Sequence, residues 1–281
     1  MRAVVLGADG QLGRELRRSF PGAAALSRRE LDVSDPAAVR GHDWSGVDVV
    51  LNAAAWTAVD AAEDPANLAA VRAVNVDAVA SLAQVAAEHG FVLVHVSSEY
   101  VFDGRHPGPV PDDLPCSPLS VYGRSKADGD RHVEAVERHY LVRTTWVVGE
   151  GRNFVATMAD LADRGVSPAV VDDQVGRPTF TVDLAGGIRH LLESRAPFGT
   201  YNLTCEGDPA SWADVAAAVF SARGRRADEI RRVTTEEYFA GRDGTAPRPG
   251  NSVLDLSKII ATGFRPRSWR DALAVYLTDR P

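Results

Sequence analysis

The sequence has little cysteine: only Cys116 and Cys205 occur among its 281 residues. They form neither a CxxC pair nor a metal-ligand spacing, which argues against a disulfide framework and favours a reducing compartment, the cytoplasm. Basic residues are outnumbered as well, with 31 lysines and arginines against 38 acidic residues and a net charge of -7. This balance argues against nucleic-acid binding as the main function.

The sequence pattern also predicts neither a long apolar run nor a targeting segment. We expect no stretch of membrane-spanning length and therefore no membrane association. The opening MRAVVLGADG reaches glycines after a few apolar residues, which fits a first strand better than a signal peptide. With 45% hydrophobic and 25% charged residues, the chain can form either one large α/β domain or a main domain with a smaller second one.

A glycine-rich turn, residues 7–13 (GADGQLG), follows the first predicted strand at residues 3–6. After it, Leu12, Leu16 and Phe20 recur at the spacing of a helix face. Glycines let a backbone turn tightly and approach a pyrophosphate at a helix N-terminus, so the pattern predicts a dinucleotide site. A purely structural glycine turn is the alternative.

Arginines follow the second predicted strand, residues 23–26. An NAD site usually places an acid here, whereas Arg28 and Arg29 could receive the 2′-phosphate of NADP. Glu30 complicates the choice because a shift of register would put it in the acid's position. NADPH is therefore favoured and NADH is left open. Asp32 is either an adenine contact or a solvated acid.

Two further strands end in residues suited to a ligand site. Residues 47–51 lead to Asn52 and small residues, and residues 91–96 deliver Ser98. Short apolar strands that alternate with helices predict a parallel sheet with helices on both faces. In such sheets ligands bind beyond the carboxyl ends of the strands, so Gly7, Asn52 and Ser98 are predicted to share one site.

The stretch 94–126 holds the candidate chemistry. Tyr122 and Lys126 are spaced i and i+4, so both fall on one face of a predicted helix. A tyrosine beside a lysine, with the Ser98 hydroxyl upstream, can deliver a proton to an oxygen. The alternative is a tyrosine packed on the sheet and a solvated lysine. The Pro- and Asp-rich loop 103–116 is predicted to edge the substrate pocket.

The rest of the chain is assigned from the same signals. A long helix is predicted over 65–89, in which Asn75 is either a buried anchor for a neighbouring loop or an ordinary polar residue. Strands are predicted over 140–148, 166–171 and 199–203, and helices over 153–164, 181–193, 211–222 and 268–277. Residues 1–150 are predicted to form the nucleotide-binding domain, with some later segments returning to it. Residues 151–281 are predicted to form mainly a smaller α+β substrate lobe.

Seven motifs in order resemble those of one family. They are GADGQLGREL (7–16), NAAAWTAVDAAE (52–63), VSSEYVFDG (96–104), VYGRSK (121–126), RTTWVVG (143–149), DDQVGRPT (172–179) and RPGNSVLD (248–255). The chain thereby resembles the extended short-chain dehydrogenase/reductases and, within them, the dTDP-4-dehydrorhamnose reductases. The resemblance runs nearly end to end.

The resemblance implies a Rossmann-type doubly wound parallel sheet that binds NADPH and a C-terminal lobe that binds a dTDP-sugar. It implies Tyr122 as proton donor, Lys126 as its partner, Ser98 against the substrate carbonyl and Glu99 beside it. Substrate-binding residues would be Ser98, Glu99, Tyr100, Trp146, Asn153, Phe154 and Arg248. Cofactor-binding residues would be Gly7, Gly10, Gln11, Leu12, Gly13, Arg28, Asp32, Val33, Asn52, Ala53, Ala54, Tyr122 and Lys126. Glu15 matches a glutamate that binds magnesium at the dimer interface of some members, which leaves a magnesium ion and a homodimer open.

Two departures and two rival functions accompany the resemblance. Glu99 replaces the usual aspartate and Gly250 an alanine, which leaves open a different hexulose substrate. Lys126 and the oxidised nicotinamide are expected to lower the pKa of Tyr122. A nucleotide-sugar dehydratase or epimerase is one rival, but the dehydratases need an Asp-Glu pair where this chain has Glu99 and Tyr100. A regulatory subunit like that of methionine adenosyltransferase, which binds NADP and a partner enzyme, is the other.

Overall fold

The computed structural model describes residues 1–278, and its centre is a six-stranded parallel sheet. The strands are β1 (Ala3–Leu6), β2 (Ala24–Leu26), β3 (Val49–Asn52), β4 (Val92–Ser98), β5 (His139–Thr144), β6 (Val147–Val148), β7 (Ala169–Val171), β8 (Val175–Gly176), β9 (Thr179–Phe180), β10 (Gly199–Asn202), β11 (Ala210–Ser211) and β12 (Arg231–Val233). The sheet order is β10-β5-β4-β3-β1-β2, with every pair parallel. Because the chain leaves β1 for β2 on one side and reaches β3 on the other, the switch point lies between β1 and β3.

Helices alternate with these strands. They are α1 (Gln11–Ser19), α2 (Pro36–Gly41), α3 (Leu68–Arg72), α4 (Ala78–His89), α5 (Val121–Glu134), α6 (Phe154–Asp163), α7 (Thr181–Glu193), α8 (Trp212–Ala222), α9 (Thr235–Phe239), α10 (Ser257–Ala261) and α11 (Trp269–Thr278). Short 3₁₀ turns occupy Asp60–Glu63, Pro65–Asn67, Glu99–Val101 and Ala227–Glu229.

Both faces of the sheet are covered because alternate strand residues point to opposite sides. On one face, Val5 packs with apolar residues of α1 and α7, such as Leu16 and Leu184. On the other, Val4 belongs to a core with Leu82 of α4. The predicted doubly wound parallel sheet is confirmed, and β10 joins it from late in the chain.

The second half of the chain adds a smaller set of elements on its own core. Two-stranded sheets pair β7 with β12, β8 with β11, and β6 with β9. Their apolar residues pack with α6, α8 and α11 around fully buried Phe220 and Trp269. Ser211 caps α8 in a capping box with Asp214, which fixes the start of that helix.

The long helix at 65–89 differs from its prediction in two ways. A π turn, Ala73–Asp77, interrupts it between α3 and α4. The expectation that no run reaches membrane-spanning length is also wrong, because Pro65–His89 passes by length and composition with a mean hydropathy of 1.3. Half of its most apolar window is buried within the molecule, and α4 contributes Leu82 and Val85 to the core beneath the sheet.

The predicted strand over 140–148 is wrong at its centre. β5 ends at Thr144, and Trp146 has a φ of +45°. A large side chain rarely adopts this conformation, which turns the chain out of the sheet. The Trp146 ring is thereby presented at the sheet's carboxyl edge, and β6 resumes beyond it.

Candidate active site

A cleft of about 460 Å³ opens at the carboxyl ends of the central strands. Its lining includes Gly10, Gln11, Leu12, Ala53, Ala55, Ser97, Ser98, Glu99, Tyr100, Tyr122, Lys126, Thr144, Trp146 and Trp212. These residues follow β1, β3, β4 and β5 or belong to α5 and α8. Of the three predicted strand-end residues, Ser98 lines the cleft, whereas Gly7 and Asn52 are not among its lining residues.

The glycine turn brings two segments of backbone unusually close. Gly7 has a φ of +71°, and a Cβ there would lie 2.7 Å from Ala54 N. A Cβ on Gly13 would lie 2.1 Å from Gly7 O. The N-cap of α1 is Gly10, with no side-chain hydrogen bond on the helix end. This leaves the backbone N–H groups of the first turn facing the cleft, which suits a pyrophosphate.

Two caps fix where α5 begins and hence where its side chains point. Ser120 Oγ accepts a hydrogen bond from Gly123 N at 3.0 Å. Glu63 Oε1 accepts one from Val121 N at 2.7 Å, which ties the helix to the turn that follows β3. With this start, both Tyr122 and Lys126 are buried on the face toward the sheet.

A serine, a glutamate and a tyrosine meet at the end of β4. Ser98 Oγ donates to Glu99 Oε2 at 2.7 Å. Burial raises the pKa of Glu99 to about 7. The pKa of Tyr122 is raised above its usual value by burial and by Glu99, although a hydrogen bond with Ser98 acts the other way. The expected lowering of the Tyr122 pKa by Lys126 is therefore not found in the chain alone, because burial dominates.

Lys126 is held from the sheet side rather than by the tyrosine. Its Nζ donates to Val96 O at 2.9 Å and lies 3.1 Å from His95 Nε2. His95 Nδ1 lies 2.9 Å from Asn52 Nδ2. Burial lowers the pKa of Lys126 to about 8, and Asp130 opposes that shift. Asn52 is thus connected to Lys126 by way of the His95 ring.

Asn75 is a buried anchor, the first of its two predicted alternatives. Its Oδ1 accepts from Trp56 N at 2.9 Å, and its Nδ2 donates to Trp56 O and to Ser125 Oγ. The loop after β3, the π turn and α5 are therefore joined at one side chain. Since the loop residues Ala53 and Ala55 line the cleft, this anchor shapes its wall.

Aromatic residues divide the cleft from a second cavity of about 280 Å³. The rings of Trp146 and Trp212 stack with centroids 3.7 Å apart, and Phe154 meets Trp212 edge to face. Phe154 and Arg248 line the second cavity rather than the first. Trp212 lines both, so the two cavities share one wall.

Several predicted site residues lie away from the cleft. Arg28 pairs with Asp32 at 3.0 Å on the surface after β2, and Val33 is buried in the core. Asn153 caps α6 and donates to Gly149 O at 2.7 Å. The loop 103–116 is not among the residues that line the cleft, and its residues 112–116 line a different cavity, so its place at the edge of the substrate pocket stays a prediction.

The described residues place no cluster of metal ligands around Glu15, where a magnesium ion was left open. Glu15 is largely buried and pairs with Arg18 at 3.2 Å, in a cavity that shares no lining residue with the cleft. Among residues 1–278, no group of three or more His, Cys, Asp or Glu side chains is placed to hold a metal ion.

Three residues near the site were missed from the sequence: His95, Asp130 and Trp212. His95 stands in an otherwise apolar strand, and Asp130 is four residues after Lys126 on the same helix, buried and 3.3 Å from the Arg143 guanidinium. The polar residue in an apolar strand and the i, i+4 spacing from Lys126 were the sequence signals that could have revealed these two residues. Trp212 carried no local signal beyond its place after the cap of α8.

The fold and the cleft together are those of a Rossmann-type oxidoreductase of the extended short-chain dehydrogenase/reductase class. The RmlD substrate binding domain model matches residues 1–280. A dTDP-4-dehydrorhamnose reductase from Streptomyces griseus is 42% identical over 97% of this chain and 91% of its own. A probable dTDP-4,6-dihydroxy-2-methyloxan-3-one 4-ketoreductase from Streptomyces antibioticus is 39% identical over 99% and 95%.

A solved structure agrees with these relatives. The dTDP-4-dehydrorhamnose reductase of Bacillus anthracis in complex with NADP has a TM-score of 0.90 and 29% identity, with 99% of each chain covered. The chain belongs to the dTDP-4-dehydrorhamnose reductase family, which confirms the resemblance drawn from its motifs.

Proposed function

We propose that this chain reduces the 4-keto group of a dTDP-4-keto-6-deoxyhexose with NADPH as the hydride donor. The observation that carries the proposal is the meeting of Ser98, Tyr122 and Lys126 in one cleft with the first turn of α1. The names of the relatives support both the keto-sugar substrate and the reduction.

The residues of the glycine turn fit the cofactor. The approach of Gly7 to Ala54 leaves no room for a side chain, and the uncapped start of α1 offers N–H donors to a pyrophosphate. Gly10, Gln11 and Leu12 would hold it there. When bound, NADPH supplies the hydride that the carbonyl carbon receives. Arg28 and Arg29, both exposed after β2, would meet the 2′-phosphate.

Tyr122 delivers the proton in this scheme. Its raised pKa keeps the phenol protonated at neutral pH, which is the form that a reductase needs at the start of a turnover. The Ser98 hydroxyl donates its one hydrogen to Glu99 and would have to turn it to the substrate oxygen, which it can reach because Ser98 lies beside Tyr122. The carbonyl oxygen would therefore be held by Ser98 and protonated by Tyr122.

The sugar nucleotide would extend from the cleft into the second cavity. The stacked Trp146 and Trp212 form the shared wall, and Phe154 offers an aromatic face beyond it. Arg248 lines that cavity and supplies the positive charge that a diphosphate requires. Asn153, by contrast, would act by fixing the start of α6.

Elimination chemistry is less well supported than reduction. A dehydratase of this class needs two acids after the serine, whereas Glu99 is followed by Tyr100. The pKa of Tyr100 is raised by burial and by Glu99, so its phenol is neutral and cannot replace a carboxylate base. A simple ketoreductase requires no second acid.

The chain is further proposed to act in the cytoplasm and to form a homodimer. The first follows from its two free cysteines, which need no oxidising compartment. The proposed homodimer rests on Glu15, which matches a dimer-interface glutamate of some members of the family that the chain resembles. Analytical ultracentrifugation tests the dimer, and a monomer at micromolar concentration would contradict it.

Tyr122→Phe tests the chemical proposal. NADPH oxidation is followed with a panel of dTDP-4-keto-6-deoxysugars, and the variant should lose turnover by at least about a thousandfold, since general acid catalysis is worth that order. NADPH affinity, measured by fluorescence titration, should stay within about twofold because the variant loses only one hydroxyl among the many predicted cofactor contacts.

Tyr140→Phe is the matched control, because Tyr140 is a buried tyrosine whose hydroxyl bonds Ala196 O far from the cleft. Turnover retained in Tyr122→Phe would remove that residue from the mechanism. No substrate-dependent oxidation by the unmodified protein with any sugar would favour the NADP-binding regulatory subunit.

A further inference from the structure

The hydroxyl of Ser98 has three neighbours at the end of β4 but carries a single hydrogen. Its Oγ accepts a hydrogen bond from Tyr100 N at 3.3 Å and lies 2.7 Å from Glu99 Oε2. A third hydrogen bond joins it to the hydroxyl of Tyr122. A serine hydroxyl offers one donor hydrogen and two acceptor lone pairs. Because Tyr100 N–H occupies one lone pair, one hydrogen and one lone pair remain for Glu99 and Tyr122.

An ionised Glu99 takes the single hydrogen of Ser98. A carboxylate has no donor of its own, so Ser98 must direct its hydrogen to Glu99. The remaining lone pair of Ser98 then accepts the hydrogen of the Tyr122 hydroxyl, its other neighbour. Both hydroxyl hydrogens therefore point along one chain towards Glu99, and neither is directed at a ligand in the cleft.

A protonated Glu99 reverses this chain, because an oxygen–oxygen distance of 2.7 Å suits a hydrogen bond in either direction. The carboxylic acid donates to the remaining lone pair of Ser98. Ser98 then cannot accept from Tyr122, and both hydroxyl hydrogens are free to meet an oxygen in the cleft. We propose that Glu99 is a positioning residue whose proton turns the Ser98 and Tyr122 hydroxyls towards the carbonyl oxygen of the substrate.

The surroundings of Glu99 allow it to take up this proton near neutrality. Its side chain is buried, and burial raises its pKa to about 7, although the hydrogen bond from Ser98 opposes the rise. Tyr100 in the same turn and Tyr122 of α5 are the tyrosines that interact with it. Burial raises the pKa of both phenols, so neither tyrosine is charged near neutrality.

Two cations lie near the tyrosines that interact with Glu99. Lys126 lines the same cleft, and burial lowers its pKa to about 8 against the opposing effect of Asp130, so it is charged at neutral pH. Arg248 pairs with Asp60 at 2.8 Å, which offsets its charge. Burial remains the largest influence on the pKa of Glu99.

The inference rests on the proposed function and gives that reaction a pH dependence. Below the pKa of Glu99 both hydroxyl hydrogens can reach the carbonyl oxygen, and above it both are withdrawn. Ionised Glu99 also raises the pKa of Tyr122, which makes the phenol a weaker proton donor. Turnover should therefore fall as the pH rises through the pKa of Glu99, which is about 7.

Glu99→Gln tests the assignment, because its amide has the shape of the acid and offers a donor to Ser98 at every pH. The backbone N–H of residue 99 also bonds the carboxyl group, so the amide oxygen can accept that bond while the nitrogen donates to Ser98. The pH dependence of kcat is measured from NADPH oxidation with a dTDP-4-keto-6-deoxysugar. Turnover at about pH 6 should stay within about threefold, and the alkaline limb should move up by about one pH unit.

The difference should be largest on the alkaline side. At about one unit above the pKa of Glu99, only about a tenth of the unmodified protein holds the proton, so Glu99→Gln should turn over several-fold faster. Glu88→Gln, at an exposed glutamate of α4, is the control and should keep the limb of the unmodified protein. The same limb in Glu99→Gln, or an equal loss of turnover at every pH, would overturn the inference.

NMR of protein with isotope-labelled tyrosine tests the hydrogen-bond chain without turnover. The Tyr122 ring signal, assigned by its loss in Tyr122→Phe, should move in one step as the pH passes the Glu99 pKa of about 7. The phenol itself does not titrate there, because burial raises its pKa far above neutrality. Glu99→Gln should abolish the step, and so should Ser98→Ala, which removes the connecting hydroxyl.

The Tyr122 signal keeps its meaning if no keto sugar is reduced, in which case the proposed function fails by itself. A signal without a step near neutrality in the unmodified protein, or an unchanged step in Glu99→Gln, would overturn the inference. A full step in Ser98→Ala would also overturn it, since the charge of Glu99 would then act on Tyr122 without the serine.

Discussion

At the scale of single residues, the cleft raises the pKa values of its acids. Glu99 is 3% exposed, and its only hydrogen-bond donor among the side chains is Ser98 in the part of the chain that is described. Burial therefore outweighs hydrogen bonding and raises its pKa to about 7. Ionised Glu99 would in turn make it harder for Tyr122 to lose a proton. The site is arranged to give a proton, which is the direction that reduction requires.

The Glu99 pKa has a consequence for stability. Its folded-state pKa of about 7 lies above the ordinary 4.5, so the native state binds more protons than the unfolded state between these values. Stability from this group is fully present below pH 4.5 and is lost as pH rises through 7. Glu99→Gln should remove a fall of about 3 kcal/mol in the unfolding free energy across that window.

Urea denaturation at a series of pH values measures this fall. Glu88→Gln, at an exposed glutamate of α4, is the control and should leave the pH dependence unchanged. Parallel pH curves for the unmodified protein and Glu99→Gln would show that Glu99 is not protonated by burial.

At the scale of elements, Asn75 joins three segments that the sheet alone does not hold together. Asn75→Ala removes hydrogen bonds to the partly buried backbone of Trp56 and to the buried Ser125 hydroxyl, which should cost about 2 to 4 kcal/mol of unfolding free energy. NADPH affinity should also fall, because the loop after β3 lines the cleft. Denaturation and fluorescence titration measure the two effects, with Gln84→Ala on the exposed side of α4 as the control. A loss of affinity without a loss of stability would contradict the anchoring role.

Two helical glycines predict opposite responses to the same substitution. A Cβ on Gly123 would lie 2.2 Å from Tyr100 O, because α5 packs tightly on the turn that follows β4. Gly123→Ala should therefore destabilise the protein by about 2 kcal/mol or more. In α7, Gly186 has open space around it, so Gly186→Ala should stabilise by about 0.5 to 1 kcal/mol through helix propensity. Thermal unfolding of both variants tests the pair, and shifts of the same sign would refute the close approach.

The sequence predicted elements better than contacts between them. The glycine turn and the sheet followed from apolar periodicity and strand ends, which are local properties. The break at Trp146 and the π turn at Asn75 were missed because each is imposed by packing between distant segments. The contact of His95 with Asn52 and Lys126 joins residues 43 and 31 positions apart, and only the strand register brings them together.

At the scale of the whole molecule, the cleft is lined by residues from both halves of the chain, whereas the second cavity is lined by residues 154–248 alone. Asp60, in the turn after β3, accepts from Arg248 at 2.8 Å and from Ala246 N at 3.0 Å. The Arg248 guanidinium also lies 4.6 Å from the centroid of the Phe239 ring. This contact fastens the late segment 246–250 across the second cavity to the sheet domain. The proposed sugar-nucleotide site therefore depends on a link between distant parts of the chain.

Asp60→Ala should loosen that link without melting the sheet. The variant loses a half-exposed ion pair and the acceptor for Ala246 N–H, so the loss of unfolding free energy should be only about 1 kcal/mol. Hydrogen exchange should accelerate by about fivefold or more in residues 246–250, where protection follows local opening, and stay unchanged in β1, β3 and β4. Asp228→Ala, which breaks an exposed pair with Arg226 inside one segment, should leave 246–250 protected. Faster exchange throughout the sheet would mean that Asp60 supports the whole fold, and no change in 246–250 would mean that Phe239 packing alone holds Arg248 in place.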